Sequence, residues 1–247
     1  MITGLRRGSG RPLVLLHTLG TDHHMWDPVL ERLAAERDVL ALDLPGFGGS
    51  TALTRGSPVA LALAISGFLA SRGIERPHVA GNSLGGWVAL EIAAAGRAAS
   101  VTAIAPAGLW PEPLVPKRRS LRTVARVLLP VLAPLLRTRA GRRLAFAGTA
   151  ARPELIPPEA AMRLARAYAT APGFRAANDA MRAGRFTALD RLTIPVTLAW
   201  PECDRLVARP RRLPAGVRSV VLRGCGHLPT WDDPEQVARV LLDGSAA

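Results

Sequence analysis

Residues 81–85 read Gly81-Asn82-Ser83-Leu84-Gly85, between an apolar run, Pro77-His78-Val79-Ala80, and a helical pattern, Trp87-Val88-Ala89-Leu90-Glu91-Ile92-Ala93. A serine flanked by glycines where a strand turns into a helix has a strained backbone, and the turn is too tight for larger neighbours. Its hydroxyl stands above the sheet edge, and the helix N-terminus lies under any oxyanion that develops there. The chemistry this suits is attack on a carbonyl carbon. A lone hydroxyl is a poor nucleophile at neutral pH, so a base and an acid must accompany it. Downstream, Thr193-Ile194-Pro195-Val196-Thr197-Leu198-Ala199-Trp200 reads as a buried strand ending in Pro201-Glu202-Cys203-Asp204. Val217-Arg218-Ser219-Val220-Val221-Leu222 is a second strand, leading into Gly224-Cys225-Gly226-His227. In this reading Ser83 attacks, His227 takes its proton, and Asp204 orients the imidazole and stabilises its charged form.

The elements that must position these groups alternate between strand and helix along the chain. Trp26 to Ala35 reads as a helix with Asp27 as its N-cap and Pro28 in its first turn. Ser57-Pro58 opens another that runs to about Ser71 and ends at Gly73. A last helix follows Asp232-Asp233-Pro234 and turns Val237, Val240 and Leu241 inward. Such alternation implies a mostly parallel sheet with right-handed crossovers, an α/β fold.

Four stretches in this order resemble the α/β-hydrolase superfamily. Besides the serine turn and the acid, Leu40-Ala41-Leu42-Asp43-Leu44-Pro45-Gly46-Phe47-Gly48-Gly49-Ser50 is similar to that family's loop after an early strand. His227-Leu228-Pro229-Thr230-Trp231-Asp232-Asp233-Pro234-Glu235 is similar to its histidine loop. The resemblance implies a core of residues 1–110 and 192–247, with a helical cap, residues 111–191, inserted after the strand near residue 105. It also implies backbone N–H groups of Leu19 and Leu84 as the oxyanion hole. Two departures stand out. Many relatives have His-Gly-x-Gly where this chain has His17-Thr18-Leu19-Gly20, and a β-branched residue there costs only if its φ is positive. Only about ten residues precede the strand Pro12-Leu13-Val14-Leu15-Leu16, enough for one short strand at most, so either the usual N-terminal hairpin is shortened or the start is misplaced. Leu19-Gly20-Thr21-Asp22 with Met25-Trp26 is also similar to enol-lactone hydrolases, over a short match.

The chain has 247 residues, enough for one domain with a large core, and no uninterrupted apolar run long enough to span a membrane. The start, Met1-Ile2-Thr3-Gly4-Leu5-Arg6-Arg7, lacks an apolar signal region, so the expected compartment is the cytoplasm. Cys203 and Cys225 are read as free thiols. The net charge of +13 is uneven: residues 111–191 hold 16 basic and 5 acidic side chains, leaving +11 in the cap. A basic cap could attract acidic substrates or an anionic membrane surface, but the simpler reading is a solvated arginine face. Nucleic acid is disfavoured, because one tyrosine and no stacking pattern accompany the arginines.

Within the cap, Ser120 to Leu129 has apolar residues at helical spacing with arginines on the other side, and Pro130 and Pro134 are expected to kink or break that helix. Further helices are expected at Pro158–Tyr168 and near Ala176–Met181. His17 is expected to shape the oxyanion loop, Asp43 to bond its own loop, and His23 and His24 to be exposed. No His, Cys and Asp cluster has zinc spacing and no dinucleotide fingerprint is present, so no cofactor or metal is expected.

The main expectation is a serine hydrolase of a carboxylic ester or lactone, acting on a small molecule with an apolar acyl part through an acyl-enzyme. A carbon–carbon bond hydrolase of a diketone-type substrate is the first alternative, since such relatives share a Gly-Asn-Ser turn. They also carry a cap arginine for a substrate carboxylate, for which Arg118, Arg119, Arg182 and Arg185 are candidates. A ligand-binding protein that retains the triad is the second. Epoxide hydrolases and dehalogenases are disfavoured, because both place Asp where Ser83 stands.

Overall fold

Aliphatic runs bounded by Gly, Pro and charged residues form a seven-stranded sheet in the computed structural model, which describes residues 1–52, 56–114 and 122–246. The strands are β1 (Gly4–Gly8), β2 (Pro12–Leu16), β3 (Asp38–Leu42), β4 (His78–Asn82), β5 (Ser100–Ile104), β6 (Val196–Pro201) and β7 (Val217–Leu222). Their spatial order is β1-β3-β2-β4-β5-β6-β7. Only β1 is antiparallel, pairing with β3 from Gly4 opposite Leu42 to Gly8 opposite Asp38. The other neighbours run parallel. Among the described residues a single strand, β1, precedes β2.

Parallel strands are covered on both faces, so both sets of alternating side chains must be apolar. Val14 and Leu16 point to one cluster and Leu13 and Leu15 to the other. Helices α2 (Pro58–Ala70) and α3 (Leu84–Ala94) cover the first face through Leu61, Ile65, Val88 and Ile92. Helices α1 (Asp27–Ala34) and α9 (Pro234–Gly244) cover the second through Val29, Leu33, Val237 and Leu241. Ser57 caps α2 by accepting from the Ala60 N–H at 3.2 Å. Asp27 is not an N-cap. It is the first residue of α1, and Asp22 caps the 3-10 turn before it, accepting from the His24 N–H.

Between β5 and β6 the chain forms α4 (Arg122–Arg137), α5 (Arg139–Ala145), α6 (Pro158–Thr170) and α7 (Phe174–Ala183). Of the expected kink or break, no break occurs: α4 continues through Pro130 and Pro134. Each proline deprives one carbonyl, Arg126 and Pro130 respectively, of its helical N–H. Both prolines are exposed, so water can take the vacant bonds. Lys117, Arg118, Arg119, Ser120 and Leu121 lie outside the described residues.

Two buried carboxylates bind distant segments together. Asp43 accepts from the Thr3 hydroxyl (2.7 Å), the Gly49 N–H (3.0 Å), and both the N–H and the Nδ1 of His23 (2.8 Å each). Gly48 has φ +51°, and a Cβ there would lie 2.3 Å from this carboxylate, so only glycine fits. His23 is therefore not an exposed residue: its side chain is 20% exposed and paired. Burial works to raise the Asp43 carboxyl, but the His23, Thr3 and Gly49 hydrogen bonds hold it well below the usual carboxylate range. The same contact raises the His23 imidazole above its ordinary value. Asp232, in the short helix α8 (Pro229–Asp232), accepts from the N–H groups of Ala151 (2.9 Å), Arg152 (2.7 Å) and Gly226 (2.8 Å). It ties the inserted helices to the histidine loop.

Replacing Asp232 by Ala strands these backbone donors and should cost about 2–4 kcal/mol, read by urea unfolding at an unchanged slope. Asp43→Asn should cost a similar, about 2–4 kcal/mol at pH 7. A depressed folded pKa gives stability that is present above the unfolded value of about 4 and lost as pH falls further. The wild-type and Asp43→Asn melting curves should therefore converge in acid. For His23 the sign is opposite: its contribution is full below about pH 6.5 and fades as pH rises through the raised value. His23→Gln should flatten the alkaline limb of the Tm profile. Parallel profiles for wild type and variant would contradict this account of the pair.

Candidate active site

Strand β4 ends at Asn82 and helix α3 begins at Leu84, so Ser83 alone makes the turn. Its backbone sits at φ 55° and ψ −112°, a region that costs a non-glycine residue about 1–3 kcal/mol. Three hydrogen bonds hold it there: Ser83 N–H to the Ile104 carbonyl (2.9 Å), and the Trp87 and Ala107 N–H groups to the Ser83 carbonyl (3.0 Å each). The flanking glycines are required by contact. A Cβ on Gly81 would stand 2.2 Å from the Gly85 carbonyl oxygen, and one on Gly85 would stand 2.2 Å from that of Leu16. Ser83 is 6% exposed. Leu84, as the first residue of α3, has an N–H with no intrahelical acceptor.

The acid and the histidine follow adjacent strands, Asp204 after β6 and His227 after β7. Backbone bonds splice the two exits together: the Glu202 N–H donates to the Leu222 carbonyl (2.9 Å) and the Cys203 N–H to the Cys225 carbonyl (2.8 Å). Side chains then meet, with His227 Nδ1 2.8 Å from Asp204 Oδ2. The other carboxylate oxygen accepts from the Leu206 N–H (2.7 Å) and the Val207 N–H (3.2 Å), which fixes its plane. Burial pushes the Asp204 carboxyl up, yet its bonds to His227, Leu206 and Val207 bring it below the ordinary value. An ionised Asp204 can only accept, so Nδ1 carries the proton and the neutral ring keeps its lone pair on Nε2. Ser83, Asp204 and His227 all stand at the carboxyl edge of the parallel strands, where α/β sheets place their sites.

The loop after β2 lies on the same edge. His17 is fully buried; it donates from Nδ1 to the Thr18 carbonyl (2.8 Å) and accepts at Nε2 from the Leu44 N–H (2.9 Å). Burial lowers its pKa, so it is a neutral brace between two loops. Thr18 is not at positive φ; the left-handed residue of this loop is Gly20, at +81°. The departure from His-Gly-x-Gly is thus accommodated without strain at Thr18.

Inserted helices approach the edge from two sides. A Cβ on Gly20 would lie 2.9 Å from Tyr168 and 3.1 Å from Phe174, whose rings stack edge-to-face over this loop at 5.2 Å. On the histidine side, the Leu228 N–H donates to the Thr149 carbonyl at 2.8 Å. Arg122 donates from Nε to the Tyr168 carbonyl (2.9 Å) and from Nη2 to that of Ala171. Sequence reasoning did not single out Phe174, Arg122 or Asp232. The signal for Tyr168 was only its place near the end of an inserted helix, and for Asp232 its place in the histidine loop. Of the arginines weighed for a substrate carboxylate, Arg185 is exposed, and Arg118 and Arg119 lie outside the described residues. Among the described residues, no three His, Cys, Asp or Glu side chains are grouped as metal ligands. Cys203 is exposed and Cys225 buried, both as free thiols, the latter pushed up to about 12 by burial and the nearby Asp232 and Asp233.

Comparison with known proteins agrees with this architecture. A 103-residue stretch is 47% identical to the dihydrolipoyllysine-residue acetyltransferase component of an acetoin cleaving system from Pseudomonas putida, covering 40% of this chain and 28% of that protein. The chain therefore spans little more than a quarter of that relative. It is 32% identical over 183 residues to the epoxide hydrolase EphH of Mycobacterium tuberculosis, covering 68% of this chain and 86% of the relative. Among solved structures, a membrane phospholipase A described as a bacterial virulence factor superposes with a TM-score of 0.77 at 26% identity, over 99% of this chain and 83% of the other. The family model described as alpha/beta hydrolase matches residues 13–240, and the chain belongs to that enzyme family.

Proposed function

We propose that the chain is a serine hydrolase that cleaves a carboxylic ester or lactone through an acyl-enzyme. The observation that carries this reading is the pairing of a strained, two-glycine serine turn with a 2.8 Å Asp204–His227 hydrogen bond on the same sheet edge. Ser83 Oγ attacks the carbonyl carbon while His227 Nε2 takes its proton. The Leu19 and Leu84 N–H groups receive the oxyanion, and Asp204 stabilises the imidazolium. Collapse expels the alcohol, protonated by His227, and water then reverses the sequence to release the acid.

Serine separates this chain from the chemistry named for the mycobacterial relative. Opening an epoxide with a carboxylate leaves an ester that water can hydrolyse, whereas Ser83 would leave an unreactive ether. The carbon–carbon alternative gains nothing from Asn82, which is fully buried and donates to the Ile104 carbonyl at 3.1 Å, behind the nucleophile. Residues 111–191 act as the cap in this reading, and Tyr168 and Phe174 give the oxyanion side an apolar wall suited to an acyl chain. Two free cysteines fit a reducing compartment such as the cytoplasm.

The test is hydrolysis of nitrophenyl esters of increasing acyl length beside a lactone series. Ser83→Ala and His227→Ala should each lower kcat by about four to six orders of magnitude. Asp204→Asn should cost about four orders, the size of loss known for the equivalent change in serine proteases. Turnover persisting in Ser83→Ala would refute the mechanism, and a small loss in Asp204→Asn would mean that another carboxylate orients His227.

A further inference from the structure

Helix α4 presents an apolar stripe to solvent. Val124, Val127, Leu128, Val131 and Leu135 recur at helical spacing and are all exposed, Val127 at 71% and Val131 at 63%. The opposite side of the helix is accounted for: Leu132 and the buried Leu136 pack on α6 with Ala160, Ala161 and Leu164. Leu144, in the adjoining α5, is a further exposed apolar side chain at 74%. Soluble surfaces seldom leave so contiguous an apolar row uncovered unless something binds it.

The charge around the stripe says what. Between Glu112 and Glu154 the sequence has ten basic residues and no acidic one. Arg126 and Arg137, on the next face of α4, and Arg139, at the start of α5, are exposed. An apolar row on a helix whose neighbouring face carries arginines, within a strongly basic segment, is complementary to an anionic bilayer, with aliphatic side chains entering the acyl boundary and guanidinium groups reaching lipid phosphates. It is a poor match for a second copy of this chain, which would bring the same uncompensated charge. The helix lies on such a surface and does not cross it: it has 16 residues, two of them proline, and no helix among the described residues is long and apolar enough to span. We infer that α4 is a peripheral docking face for anionic lipid bilayers. Docking there touches the site through Arg122, at the first turn of α4, which holds the carbonyl end of α6 beside Tyr168. The inference concerns binding and stands whatever ester or lactone the site cleaves.

Vesicle co-sedimentation tests it, using the whole chain with phosphatidylcholine vesicles and with equimolar phosphatidylcholine and phosphatidylglycerol. Binding is expected to the anionic vesicles, at least tenfold weaker to the neutral ones, and weakened by raising salt from 50 to about 500 mM. Val127→Glu with Val131→Glu should reduce anionic binding at least tenfold, as should Arg126→Glu with Arg137→Glu and Arg139→Glu. Val59→Glu with Leu63→Glu, exposed apolar positions on α2, should leave it unchanged. Thermal melts of each variant confirm folding, and all the changed side chains are on the surface. Failure to bind anionic vesicles would overturn the inference, as would binding indifferent to the α4 variants. A dimer in light scattering that Val127→Glu with Val131→Glu dissociates would also overturn it, assigning the face to a second copy.

Discussion

A single left-handed residue, Ser83, is the constraint around which this molecule is arranged. Its conformation is unfavourable in isolation and persists because β5, the loop after it and the first turn of α3 grip it by three backbone hydrogen bonds. Those grips need β4 and β5 in register and α3 pressed against the ends of β2 and β4. The approach is so close that Gly81 and Gly85 touch backbone oxygens where a side chain would begin. The apolar strands and the helices on both faces supply the rigidity. The sheet is thus a clamp for one serine as much as a core.

The same economy holds at the other end of the site. Asp204 and His227 come from neighbouring strands, so the β6–β7 ladder sets their separation, and two further backbone bonds carry that ladder past the strand ends. The loops above have to be pinned separately. His17 braces the loop after β2 against Leu44, Asp43 gathers the N-terminus and His23, and Asp232 joins the histidine loop to residues 151–152. Each uses a buried polar group that several donors or acceptors satisfy together, which makes these loops specific where apolar packing alone would let them slide.

Most of this was readable from local pattern. Gly81-Asn82-Ser83-Leu84-Gly85 announces its own geometry, and alternation of apolar strands and helices dictates a parallel sheet. The order of serine, acid and histidine along the chain places all three on one edge. What local pattern could not show were the long-range partners. His23 reads as exposed until Asp43, twenty residues later, folds against it. Asp232 is one residue of the histidine loop among others until the backbone at 151–152 docks on it. Pro130 and Pro134 read as a kink or a break; no break occurs, because on an exposed helix face the carbonyls they orphan can turn to water, and packing of the other face on α6 keeps the helix whole.

Hydrolysis at this site requires Ser83 to be an activated nucleophile. The most direct measurement is to treat the folded protein with a fluorophosphonate, digest it and locate the adduct by mass spectrometry. A single adduct on the peptide containing Ser83, absent from a Ser83→Ala control, is the expected result. A folded protein that takes up no label, or takes it up at another residue, would contradict the account.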